Sequence, residues 1–204
     1  MTHWSDSLSN LDACRTAVDW ARTQPDAETA WQVCERADWM LWVAARLAND
    51  RRVVVAAACA CARLSLPHVP EGELRPLRAI ETAEAWCHGE ATIEDVLAAA
   101  HSVSDGLFAA AAAYETAAYA ADADAAAAAY AATYSAFCAA FSVAAYAAAA
   151  DAAAAAYAAA DAADAASAAY ADADADYADA ARSQVMRECT EIVRKMVPMP
   201  EVRS

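Results

Sequence analysis

Hydrophobic positions recur along most of the chain at spacings of three and four, the period of an amphipathic helix. Leu11, Cys14, Ala17, Val18 and Ala21 form one such stripe and predict a helix over 11–23, stopped by Pro25. Asp26-Ala-Glu-Thr29 offers a helix start. Trp31, Cys34, Asp38, Leu41, Trp42 and Ala45 then share a face of a helix predicted over 30–48. Residues 51–66 are apolar almost all round, through Val53-Val54-Val55-Ala56-Ala57-Ala58, which predicts a central, buried helix ended by Pro67 and Pro70. Pro76 suits a first helical turn and Gly89 a C-terminal stop, so a fourth helix is set over 75–88. Thr92 begins a fifth, with Glu94 and Asp95 complementing its dipole, and an end is expected near Asp105-Gly106.

From Leu107 to Val197 there is neither Gly nor Pro. A single helix of that length would run about 135 Å. Breaks are therefore expected where Asp and Ser compete for backbone donors: Asp122-Ala-Asp124, Ser142, Asp151, Asp161 and Asp172-Ala-Asp-Ala-Asp. Between 109 and 181, 46 of 73 residues are alanine, which lets helices approach closely while aromatics fill the gaps. Tyr119, Tyr130 and Phe141 recur every eleven residues, as do Tyr146 and Tyr157, so each set is expected on one helical face.

Composition excludes the other fold classes. Alanine supplies 67 of 204 residues against 3 Gly and 6 Pro, too few turn-formers for a sheet protein. Six Trp and eight Tyr argue against disorder. The expectation is a single all-α domain over 1–204, a multi-helix bundle with long, closely packed alanine-rich helices. It has a near-neutral, Trp-bearing half (1–106) and an Ala/Asp/Tyr-rich acidic half (107–204).

Charge divides the chain further. Residues 1–78 carry 9 basic and 10 acidic side chains, residues 79–181 carry none and 16, and the last 23 carry 5 and 3. Such a surface repels nucleic acid and anionic lipid and attracts a basic protein. Asp122, Asp124, Asp151, Asp161, Asp164, Asp172, Asp174, Asp176 and Asp179 read as a solvated face that keeps the alanine-rich helices soluble, and equally as the residues that would bind such a partner. Residues 125–150 are uncharged for 26 positions, long enough for a membrane span. Alanine is only marginally apolar, tyrosines interrupt the stretch, and its flanks are Asp, so a buried helix is expected instead.

The seven cysteines are scattered, and the polar stretch Met1–Asp12 does not read as a signal peptide. Buried free thiols in a reducing cytoplasm are the expectation. No P-loop, dinucleotide fingerprint, Gly-x-Ser-x-Gly or His-Glu-x-x-His occurs, and neither an enzyme nor a cofactor is expected. Glu81, Glu84 and His88 share one helical face and form a weak metal-ligand alternative that would need a second ligating helix. Asp38 beside Trp39 and Trp42 reads as a structural acceptor for an indole or for an arginine such as Arg46 or Arg75.

The run Ala37-Asp38-Trp39-Met40-Leu41-Trp42, then Arg75-Pro-Leu-Arg-Ala-Ile-Glu81-Thr-Ala-Glu84-Ala-Trp86 with Gly89-Glu90, resembles the immunity-protein domain family of bacterial polymorphic toxin systems. The Ala/Asp/Tyr-rich middle and the ending Cys189-Thr-Glu-Ile-Val-Arg194-Lys195 extend the resemblance over roughly 30–198. It implies a protein that binds a toxin inside the producing cell and neutralises it, its motif residues being structural. The alternatives are a polyanion mimic occupying another nucleic-acid-binding protein, and a helical small-ligand or metal-binding protein.

Overall fold

The computed structural model describes residues 3–48, 50–118, 123–149, 152–169 and 175–202, with side chains described for 3–48, 50–107, 134–147, 154–169 and 176–202. Among the described residues there are ten α-helices and no strand. They are α1 (Asp6–Asn10), α2 (Arg15–Ala21), α3 (Ala27–Val33), α4 (Ala37–Leu47), α5 (Arg51–Arg63), α6 (Arg75–His88), α7 (Ile93–Ala118), α8 (Ala123–Ala149), α9 (Ala152–Ala168) and α10 (Ala175–Met196). A 3-10 turn, Leu66–His68, links α5 to α6. The protein is an all-α bundle.

Helix α9 is the hub, packing against α8, α10, α4 and α5. Ala155, Ala158, Ala159, Ala162, Ala163 and Ala165 on it are all fully buried. A methyl side chain on so many inward positions is what lets four helices surround one. Helix α5 lies inside as its all-round apolar pattern predicts, with Val54, Val55, Ala57, Ala58, Cys59, Cys61 and Ala62 at zero exposure. A small satellite core of Leu8, Val18 and Ala21, with Trp4, Trp20 and Val43 against it, seats α1 and α2.

The boundaries differ from the sequence expectation at several places, and the expected 51–66 helix, for one, ends as α5 at Arg63. The first helix does not begin at Leu11, because Asp12 adopts a left-handed backbone (φ 64°) and separates α1 from α2. The helix expected over 30–48 is broken into α3 and α4 by extended backbone at Cys34. Arg194 of α10 donates Nε to the Trp31 carbonyl at 3.2 Å and Nη2 to the Cys34 carbonyl, so a distant side chain satisfies the α3 C-terminus.

Helix α7 does not stop at Asp105-Gly106 but runs on to Ala118. Gly106 serves close approach: a Cβ there would collide with the Phe137 ring and lie 3.0 Å from the Arg75 guanidinium. Of the proposed breaks in the alanine tract, Ser142 and Asp161 fall inside α8 and α9, while the described helices end and resume around Asp122, Asp151 and Asp172. Tyr146 and Tyr157 do not share a face. They belong to different helices, and Tyr146 is buried while Tyr157 is 58% exposed. Tyr119 and Tyr130 lie outside the residues whose side chains are described. Among the described residues no helix is long and apolar enough to cross a membrane.

Candidate functional site

Exposed acids stand in two stretches. Glu81 on α6, Glu90 on the link after it, and Glu94, Asp95 and Asp105 on α7 are exposed, and on α10 Asp176 and Asp179 are exposed. Asp95 is shaped by helix initiation. It accepts from the Thr92 backbone N–H at 2.8 Å while its own N–H donates to Thr92 Oγ1 at 3.2 Å, a reciprocal cap that draws its carboxyl below the ordinary range. The acids of α6 and α7 escaped the sequence reading, which followed the Asp-rich tract. The absence of Lys and Arg over 79–181 was the signal that could have found them.

The nine aspartates expected to bind a partner divide. Asp122, Asp151, Asp172 and Asp174 lie outside the described residues, and the side chain of Asp124 does as well. Asp164 is not open: Arg182 of α10 pairs with it across the α9–α10 junction. Asp161 is half-buried against α8, where Ser142 Oγ donates to its Oδ2 at 3.3 Å. Loss of water around this carboxyl raises its pKa to about 6, and the single hydroxyl only partly offsets that. Burial, and after it the charge of Asp161, raises the neighbouring Cys138 thiol to about 11. Asp176 and Asp179 remain on the surface.

The motif residues of the Trp-bearing half form an arginine–tryptophan framework. Asp38 accepts from an arginine as expected, but from neither of the two named, Arg46 and Arg75. Arg36, two residues away, clamps it through Nε at 2.9 Å and Nη2 at 2.6 Å while lying 4.5 Å over the Trp39 ring. Arg46 instead covers Trp42, and Arg51 and Arg52 both cover Trp86. Arg75 grips Glu73, which holds that carboxyl below its ordinary range. Trp39 packs on Trp20 at 5.8 Å. The space among Trp4, Trp20, Trp31, Trp39 and Met199 amounts to about 60 Å³, too little for an organic ligand.

The metal alternative is dismantled by its own helix face. Both oxygens of Glu84 are taken by Arg63, at 2.8 and 2.6 Å, and His88 Nδ1 bonds the Glu84 carbonyl oxygen at 2.8 Å. Glu81 is exposed. Among the described residues no three His, Cys, Asp or Glu side chains are placed to hold a metal ion.

The seven cysteines are unpaired. Cys34, Cys59, Cys61 and Cys189 are buried, but Cys14 is exposed, contrary to the expectation of buried thiols throughout. Burial raises the Cys34 and Cys59 thiols, leaving both inert as nucleophiles at neutral pH. In comparison with known proteins, the chain matches no family model, no curated protein and no solved structure.

Proposed function

We propose that the protein is a non-enzymatic, immunity-type binding protein that neutralises a basic toxin by covering it with an acidic helical surface. One observation carries this reading. Over 79–181 the chain has no Lys or Arg, and exposed carboxylates stand on α6, α7 and α10 with Arg182 as the cation brought to α9. A surface of one sign steers an oppositely charged partner and rejects like-charged ones. The resemblance of the Asp38–Trp42 and Arg75–Trp86 segments to immunity-protein domains supports the same role, with those residues as framework. Seven unpaired cysteines fit work inside the cell.

The test is co-elution in gel filtration with the product of a toxin-like neighbouring reading frame. A complex at low salt that weakens as salt rises is expected. Absence of a complex at low salt overturns the reading.

A further inference from the structure

We infer that the tryptophan-lined groove bordered by α1 to α4 is a receptor for an extended, proline-bearing apolar segment of a partner protein. The strap that follows α10, residues 198–202, occupies it in cis. The site is independent of the acidic surface.

The strap has the build of a peptide ligand. Helix α10 ends at Met196, and residues 198–202 run on without turn or bend. Pro198 and Pro200 hold φ at about −65° and bias Val197 and Met199, which precede them, toward extended backbone. The two prolines have no N–H to give, and among the described residues neither Met199 nor Val202 makes a backbone hydrogen bond. Met199, Pro200 and Val202 are therefore seated by side-chain contact.

The seat is aromatic. Pro200 is buried, and together with Met199 and Val202 it borders a cavity walled by Trp4, Trp20, Trp31 and Trp39. Aromatic grooves receive extended proline segments well, because pyrrolidine rings pack flat on indoles and a stiff backbone loses little entropy on docking. The fit of the strap is loose. About 60 Å³ stays open among the rings, and a cleft of about 750 Å³ runs along the same three strap residues beside Leu11, Leu47 and Val53. A well-packed interior leaves few such gaps.

The strap also defines the occupant that can replace it. A segment with proline at alternate positions and apolar residues between and after them repeats its contacts, and a longer or bulkier one fills the open space as well. Being tethered, the strap competes at high effective concentration, so a partner's segment enters by offering that additional contact.

The peptide with the sequence of residues 197–202, titrated to millimolar concentration and followed by the indole N–H signals in NMR, tests this. Its control has both prolines replaced by alanine. The parent chain is expected to bind the peptide weakly, because the strap is in place. Pro200→Ser/Val202→Ser loosens the strap and leaves the tryptophan walls untouched, and is expected to bind the peptide at least about tenfold more tightly. The alanine control is expected to bind that variant at least about tenfold more weakly. In the parent, amide exchange at Met199 and Val202 is expected to be at least about a hundredfold faster than at Cys189 and Val193 within α10.

Equal binding to parent and double variant overturns the inference, as does equal binding of the two peptides. Shifts confined to Trp42 and Trp86, which lie outside the groove, also overturn it. Strap amides protected as well as those of α10 overturn it, because the strap would then leave only on global unfolding. A double variant that has lost its helicity by circular dichroism overturns it too, since the strap would then be a structural support. A parent dimer abolished in the double variant, seen by sedimentation, gives the groove to the strap of a second copy and overturns the partner assignment.

Discussion

Trp31, Met40, Leu41 and Ile80 fill the space around α3, α4 and α6 with large side chains, whereas α8 and α9 reach burial by leaving the side chains out. Their fully buried positions include Ala139, Ala140, Ala144, Ala147, Ala158, Ala159 and Ala162, with Phe137 and Tyr146 as the few large inserts. A core of large residues fails when volume is removed, and a core of methyl groups fails when volume is added. The polar chemistry divides in the same way. The first region anchors its acids with arginines, as at Asp38, Glu73 and Glu84, while in the second Arg182 of α10 meets Asp164 and Asp161 has a single hydroxyl.

The contrast is broken most severely at Trp31. Trp31→Ala is expected to cost about 3–5 kcal/mol in a urea melt, because the ring is buried between α3 and its neighbours. In the alanine region the reverse substitution does the damage. Ala159→Leu should cost about 2–3 kcal/mol by the same measurement, since Ala159 has no exposure in the hub helix. Ala180→Leu, at an exposed α10 position, should lie within about 0.5 kcal/mol of the parent.

Asp161 gives a stabilising change. Its carboxyl titrates near 6 in the folded protein and near 3.8 when free, so between those values the folded state holds the extra proton. Stability therefore falls as pH rises from about 4 to about 6 and is flat with respect to this group above that. Asp161→Asn should abolish that slope and raise stability at neutral pH by on the order of 2 kcal/mol, read as a shift of the thermal midpoint with pH. A slope unchanged by the substitution would show that the carboxyl is well solvated.

Gly106→Ala sets helix propensity, worth about 1 kcal/mol in favour of alanine, against collision with the buried Phe137 ring. A net loss of about 1 kcal/mol is expected, and a gain would mean that the ring moves aside freely. The smallest effect belongs to the half-exposed clamp on Asp38. Arg36→Lys should cost under about 1 kcal/mol, because solvent screens the pair and only the forked, ring-stacked geometry is lost.

Helix boundaries were legible wherever the punctuation was local. Pro76 and Gly89 bracket α6, and Asp26 caps α3 by accepting from the Thr29 N–H at 2.7 Å. They were illegible where a remote group made the decision. Nothing near residue 34 announces that Arg194 will take the last carbonyls of α3. Gly106 reads as a stop until Phe137 and Arg75 are seen against it. The acidic surface was legible as a charge count, but not its division into exposed acids on α6 and α7, a paired Asp164 and an inward Asp161. Exposure depends on which helix lies alongside, and local sequence does not record that.

The sequence by itself determined the all-α class, since a chain one-third alanine with three glycines has no cheaper way to satisfy its backbone than helix. It also determined the acidic asymmetry, because charge is a property of composition. Only the tertiary structure decided which alanines became the core and which arginine met which acid. Those outcomes depend on contacts between residues far apart in the chain, where close approach and loss of water set the energy of each group.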